Sequence, residues 1–500
     1  PIREIHSNTA VFEPNYSATT FDGQPVSGAV VVPNGTAKSF TSTEFRSAIY
    51  PTPIMTAAED GIPEALRYTD HTDWGPRIGF AWRPFGNDKT VVRGGWGRFI
   101  ETPLGFSLVA GWAVHASYLA TYNQPEQGDT VTPLLTFANP INSTPDSAAG
   151  TANFDYAFPI HYKDPTVQQW NLTFERDLGR GIGARLSYTG SHGQDLEAME
   201  DLNQVPANKV GYATAGNTRP YSSWAVIQSV TNAAISNYSG ATVELSRRSG
   251  RGITFDASYS FTRDLSNAGG ATPNAFAVAG GSFLTDRFNP RLDYGNVIYD
   301  RRHRFLANYL YDLPFGHGQR WLASGALNNL VAGGWQLAGV TIVQSGPFLT
   351  PFEQTVDPAN TNILTTIGQT RPDRVPHVSP YAAHPTTAHW LNPNAFQIVD
   401  LQATLPDGTQ GGVGRFGNAP VGSVVGPGTV NFSLSLMKVF SLTEQSKLQL
   451  GVAAANLFNH RNYEPPNMQV DSSGFGSISA LQTAEGAGPR SLELSGRITF

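Results

Sequence analysis

Apolar and polar residues alternate along much of this chain with a period of two. Ile253, Phe255, Ala257, Tyr259 and Phe261 are separated by Thr254, Asp256, Ser258 and Ser260. Trp170, Leu172 and Phe174 are spaced by Asn171 and Thr173, and Ala241, Val243 and Leu245 by Thr242 and Glu244. Phe432, Leu434 and Leu436 repeat the pattern, as does the end of the chain, Leu492, Leu494, Gly496, Ile498 and Phe500. This is the period of a strand with one apolar and one polar face. It predicts eleven strands, near residues 74–84, 90–101, 167–178, 182–190, 238–248, 252–263, 303–313, 334–346, 429–440, 447–458 and 489–500. Residues 1–73 offer one more, at Val26–Val32, and otherwise read as the loop-rich edge of the unit formed by residues 74–500.

The connections decide what kind of sheet this is. Short links at Phe85–Lys89, Gly179–Gly181, Ser249–Arg251 and Ser441–Ser446 alternate with long polar stretches near 102–166, 191–237, 264–302, 347–428 and 459–488. Compact soluble domains rarely sustain long structureless loops. An up-and-down transmembrane β-barrel does so by design, with short periplasmic turns and long extracellular loops. The expected fold is therefore all-β, an antiparallel barrel wall. Trp74, Trp82, Trp96, Phe99, Trp170, Tyr188, Tyr259, Tyr309, Tyr311 and Trp335 sit near strand ends, where headgroup-level girdles want amphipathic rings. Bacterial single-chain barrels close with even strand counts, and an open edge in lipid leaves backbone groups unsatisfied, so eleven strands alone do not make a complete barrel. With no initiator Met and no signal region at Pro1, the sequence reads as part of a larger barrel.

Composition narrows the function. Basic residues number 33 against 39 acidic ones, a net charge of −6, which gives no footprint for nucleic acid. Charged residues make up only 14% of the chain, below the ~25% usual in soluble domains. Cysteine is absent, which removes disulfides, thiolate metal sites and thiol nucleophiles together. No apolar run is long enough for a transmembrane helix.

Several segments, in order and spacing, carry a family resemblance. They are Gly75-Pro76-Arg77-Ile78-Gly79-Phe80-Ala81-Trp82-Arg83-Pro84-Phe85-Gly86, Val91-Val92-Arg93-Gly94-Gly95-Trp96-Gly97 and Leu186-Ser187-Tyr188-Thr189-Gly190-Ser191-His192-Gly193. Asp300-Arg301-Arg302-His303-Arg304-Phe305, Asp312-Leu313-Pro314-Phe315-Gly316 and Asn456-Leu457-Phe458-Asn459-His460 follow. Over residues 74–500 the sequence resembles the C-terminal part of a TonB-dependent outer-membrane receptor, most closely the Oar-like type. The resemblance implies the second half of a 22-stranded barrel that takes up a scarce ligand with energy from the TonB complex. The partners it implies are outer-membrane lipid, the barrel-assembly machinery and an unidentified small or peptide ligand. TonB would act through a plug that this sequence does not contain. Leu494, Ile498 and the terminal Phe500 are similar to the signal by which the assembly machinery recognises its clients.

Chemistry is sparse. The Gly-x-Ser-x-Gly elbow and the Walker pattern do not occur, and Gly94-Gly95-Trp96-Gly97 lies inside a strand, where glycine permits close packing. His384 and His389 are spaced by five around Pro385, which reads as solvated loop rather than metal site. No enzyme activity, metal or cofactor is expected. The candidate ligand contacts are Trp112, Tyr118 and Tyr122 in the first long loop, where aromatic side chains suit a small-molecule site. Arg301 and Arg302 are added as an anion-attracting pair where a strand leaves a loop. Two other readings stand beside uptake: a barrel whose loops serve adhesion, and a secreted β-sandwich that binds carbohydrate. Phe500→Ser is expected to impair outer-membrane assembly. Pulse-chase with surface protease shaving checks this, and wild-type loop accessibility in the variant would refute the signal.

Overall fold

The structure, a computed structural model, describes residues 10–19, 25–39, 41, 46–47, 49–101, 152–211, 219–248, 252–267, 283–316, 319–322, 324–325, 331–354, 357–362, 370–399, 403–405, 408, 410–443 and 445–500. Three strands come first: β1 (Val11–Thr19), β2 (Pro25–Val32) and β3 (Ile54–Thr56). Next come β4 (Arg77–Trp82), β5 (Thr90–Ile100), β6 (Ala152–Ala157), β7 (Thr166–Gly179), β8 (Ile182–Asp201), β9 (Trp224–Arg247) and β10 (Ile253–Ser266). They are followed by β11 (Gly295–Asn296), β12 (His303–Asp312) and β13 (Trp335–Gln344). Six two-residue strands lie in the next long connection: β14 (Phe348–Leu349), β15 (Asp373–Arg374), β16 (Phe396–Gln397), β17 (Ala403–Thr404), β18 (Gln410–Gly411) and β19 (Val424–Val425). The last three are β20 (Thr429–Ser441), β21 (Lys447–Ala455) and β22 (Ser491–Thr499).

All eleven strands expected from alternation are present, hydrogen-bonded in the order β22-β21-β20-β13-β12-β10-β9-β8-β7-β5-β4. Every pair along this path is antiparallel. The short turns have a local cause. At the β7–β8 link, Gly179, Arg180 and Gly181 all take positive φ (83°, 55° and 73°), which matches a tight turn to the twist of its strands.

Register sorts the side chains. One row runs Ile78, Trp96, Trp170, Gly190, Ser239 and Arg263 across β4 to β10. Another runs Phe255, Tyr309, Gly339, Leu434, Ala454 and Leu492 across β10 to β22. These rows lie on the face that holds most of the wall's exposed large apolar residues, among them Phe80, Leu172, Leu186, Val243, Tyr259 and Leu494. Within the continuous register Glu175, Glu244, Asp256, Asp264 and Glu493 all fall on the opposite face. Apolar outward and polar inward is the section of a membrane barrel wall. Glycine serves close approach here: a Cβ on Gly94 would overlap the Phe80 ring, and one on Gly190 the Trp170 indole. Of the expected girdle residues, Phe99 departs from the pattern. It lies on the polar face, 4.6 Å beneath the Arg77 guanidinium.

Two further features differ from the reading of the alternation. β8 and β9 continue to Asp201 and from Trp224, well past residues 190 and 238. Their register shifts after Gly193, and the extension is held by burial of Ala198, Met199, Val230 and Ala234 against Phe283 and Leu284. Period two therefore loses its meaning there. Residues 1–73 also hold more than Val26–Val32, since β1, β2 and β3 form their own sheet. β2 is buried on both faces, Val30 and Val32 against Phe12, Ile49 and Trp224, Ala29 and Val31 against Val11, Leu66 and Ile160. Strands buried on both faces read as unbroken apolar runs. Trp224, fully buried, joins this sheet to the tip of β9 and donates its indole N–H to Thr52 Oγ1 at 3.0 Å.

Val243→Arg places a guanidinium in lipid near mid-wall and is expected to cost about 2–4 kcal/mol, whereas Thr242→Arg, one residue away on the polar face, costs far less. Urea titrations of the complete barrel refolded in vesicles measure both. Equal losses would overturn the assignment of faces.

Candidate functional site

The polar face carries a ladder of ion pairs across four strands. Arg93 of β5 meets Glu175 of β7 at 3.3 Å, Arg185 of β8 meets the same carboxylate at 3.0 Å, and Arg185 reaches Glu244 of β9 at 3.2 Å. Thr173 with Ser187 and Thr242 with Ser260 add hydroxyl contacts at 3.2 and 2.8 Å. Such pairs contribute little stability one by one. They cross-link neighbouring strands on the side that register turns away from lipid. Further along this face a cavity of about 560 Å³ opens over β9, β10, β12, β13, β20 and β21. Small side chains, Ala338, Ser433, Ser435 and Ala453, leave its floor shallow, and Arg248, Asp256 and Asn308 supply polar groups.

Above the wall, the described parts of the long connections fold on one another. Arg371 forms a buried ion pair with Asp293 at 2.6 Å, and Asp293 also accepts from the Thr285 amide and hydroxyl at 2.7 and 2.8 Å. Gln204 donates to the Thr285 carbonyl at 2.9 Å, and Asn208 and Asn360 exchange side-chain bonds with each other's carbonyls at 2.9 and 2.7 Å. The connections β8–β9, β10–β12 and β13–β20 are thereby tied together. Breaking a buried pair of this kind leaves an uncompensated charge, which favours one arrangement of the connections. An apolar cluster of Leu349, Leu391, Phe396, Val424 and Met468 joins the β13–β20 and β21–β22 connections.

Glu353 lies in the seam between those two connections. Its amide and carbonyl pair with Thr370, both at 2.8 Å, and its neighbours Phe352 and Gln354 bond to the Met468 carbonyl and to Asp471 Oδ2. The side chain is fully buried, and neither carboxyl oxygen meets hydrogen-bond geometry with a described residue. Burial, reinforced by the charges of Asp471 and Asp373, raises its pKa to about 7, with the Val399 amide the one neighbour that opposes the rise. Asp373 moves the other way: Arg415, bonded to it at 2.6 Å, holds its carboxyl below the ordinary range.

The sequence matches a family model described as an outer membrane beta barrel domain over residues 1–493. The chain belongs to that family. Its place is the outer membrane. No curated protein matches the sequence. Among solved structures, the outer membrane transporter YddB from Escherichia coli is similar at 9% identity, covering 85% of this chain and 40% of its own, with a TM-score of 0.44. The ferric citrate transporter FecA is similar at 11% identity over 85% of this chain and 38% of its own, with a TM-score of 0.35. The FrpB iron transporter from Neisseria meningitidis follows at 10%, 85%, 39% and 0.36. The chain thus spans about 40% of the length of these transporters.

The loop residues expected to meet a ligand fare unevenly in this outer-membrane barrel. Trp112, Tyr118 and Tyr122 lie outside the described residues. Arg301 donates to the carbonyls of Ile298 and Asp300 at 3.0 and 3.2 Å. Arg302 bonds Asn296 Oδ1 at 2.8 Å and stands 4.8 Å over the Phe348 ring. Both arginines bind their own connection or the next one. Leu494 and Ile498 face outward on β22, and Phe500 is 95% exposed. Alternation could not find Glu353. One signal was available, an acid directly after the apolar stretch Phe348 to Phe352.

The raised Glu353 pKa has a definite sign. Between the ordinary 4.5 and about 7, the closed seam holds a proton that an open seam releases, so closure weakens as pH rises through this window. Protease cleavage within residues 347–428 is therefore expected to be faster at pH 8 than at pH 5, after correction for protease activity. Glu353→Gln should reduce the difference, leaving the smaller share of Asp357, whose pKa burial also raises; an unchanged pH dependence in that variant would rule Glu353 out.

Proposed function

We propose that this chain supplies wall and extracellular loops of an Oar-like, TonB-dependent uptake receptor, and that it moves its ligand without chemical change. The observation that supports this best is the union of a polar, cavity-bearing inner wall with long connections folded into a cap above it. An adhesion device needs projecting loops, but no recess in the wall beneath them. The open edges at β4 and β22 support a wall completed by further strands, about 22 in all for the type of receptor the sequence resembles. In this reading a plug fills the lumen, TonB acts on it, and the barrel-assembly machinery inserts the wall through β22. The ligand is a small molecule or peptide that crosses the cap before it reaches the inner wall.

The test compares depletion of medium solutes by parental cells, cells lacking the receptor gene and cells lacking TonB, each followed by mass spectrometry. A solute removed by the parent and by neither mutant is the expected result. Removal that persists without TonB, or the absence of any receptor-dependent solute, would overturn the proposal.

A further inference from the structure

The outward face carries cations and no acids over its continuous register, and the cations stand at its two margins. Arg176, Arg247 and Lys438 lie towards the short turns; Arg98, His192, Arg263 and His303 lie towards the long connections. Most of these are engaged by the protein. Arg98 donates to the carbonyls of Thr72 and Trp74, Lys438 to those of Val331 and Gly333, and His192 contacts Asn237 at 2.8 Å. Arg263 is different. It is exposed, its side chain makes no hydrogen bond or ion pair with any described residue, and Arg247, the other cation with no such bond, is half-buried towards the short turns. The acids nearest in sequence and register, Asp264 and Asp300, belong to the inner side, where Thr262 binds Asp300.

Its height and neighbours identify what would meet it. Ten residue steps separate Arg263 from Ile253 at the short-turn end of β10. At ~3.4 Å per residue and a tilt near 40°, they rise about 25 Å, the height of a barrel's apolar band. Arg263 shares its row with Trp96 and Trp170, the rings expected at headgroup level. Hydroxyl and imidazole groups surround it on the same face. Ser239 is its registered partner and accepts from the Tyr188 hydroxyl at 3.4 Å, and the Tyr259 hydroxyl meets His303 Nδ1 at 2.8 Å. Below lies an apolar surface for acyl chains, formed by Leu186, Val243, Phe261 and Phe305.

We propose that Arg263, with Ser239 and His303 beside it, binds the phosphoryl headgroup of an outer-leaflet lipid whose chains lie on the apolar face below. An unpaired guanidinium at the edge of the apolar band gains from a phosphate, which it can bind through two parallel hydrogen bonds. Among the described residues, the continuous register places no carboxylate on this face. This site is on the outside of the wall and does not depend on what crosses the lumen.

The test reconstitutes the intact receptor that contains this wall in nanodiscs and measures retention of phosphorylated lipid A against its dephosphorylated form by native mass spectrometry. Wild type is expected to retain the phosphorylated lipid about fivefold better than Arg263→Gln does, and to show no preference between the variant and itself for the dephosphorylated lipid. Arg263→Lys, which keeps the charge, should restore part of the retention. Heat-modifiable mobility confirms that each variant folds. Equal retention of both lipids by wild type, or equal retention by wild type and Arg263→Gln, would overturn the proposal. Full displacement by inorganic phosphate alone would replace the lipid site with a free-anion site.

Discussion

A backbone that crosses lipid must satisfy its amides and carbonyls within the sheet, because hydrocarbon offers no partner. That constraint fixes much else in this molecule. Satisfied ladders demand continuous pairing, and continuous pairing demands one register from β4 to β22. Since side chains alternate strictly, a slip of one residue would carry Glu175, Glu244 and Asp256 into lipid and bring Phe174, Val243 and Phe255 inside. The register and the separation of charge are therefore one property seen twice. The glycines at 94 and 190 belong to it as well, since they let Phe80 and Trp170 lie flat against the neighbouring strand without breaking the ladder.

Outside the membrane the constraint lapses and the architecture changes. β8 and β9 run beyond the wall with shifted register, β2 is buried on both faces, and the connections form apolar clusters and buried polar networks like those of a soluble domain. Trp224 links the two regimes, with its strand in the wall and its indole in the core of the β1-β2-β3 sheet. The cap is joined by specific polar contacts, Arg371 with Asp293 and Asn208 with Asn360. Among the described residues, one buried carboxyl in it has both oxygens without a hydrogen-bond partner. Glu353 is held by its backbone in a seam where its carboxyl is tolerated chiefly as the neutral acid, so the seam responds to proton concentration.

The two faces of the wall divide the work. The inner face offers mixed charges, the Arg93–Glu175–Arg185–Glu244 ladder and a recess floored by small side chains. The outer face offers apolar surface with cations only at its margins, as depth-dependent charge costs require. Arg263 and Asp264 are adjacent in sequence and serve opposite environments. That division follows from the pleat alone.

The wall was legible in the sequence because lipid imposes a period on every strand that crosses it. Eleven strands, their antiparallel order and the alternation of short and long connections all follow from spacing that is local in the chain. The N-terminal sheet was mostly hidden. A strand buried on both sides, such as β2, loses its alternation, and β3 has only three residues. The functional surface was hidden for a different reason. The ladder, the recess and the Glu353 seam each join residues far apart in sequence, and no local pattern records which distant side chain will stand opposite. Arg301 and Arg302 show the same limit: their spacing announced a charge cluster, while the carbonyls and the ring that occupy them came from the folded connections. Sequence alone determined which face of each strand meets lipid, since that depends on single residues. Tertiary structure alone decided which polar groups meet, and so which charges were left without a partner.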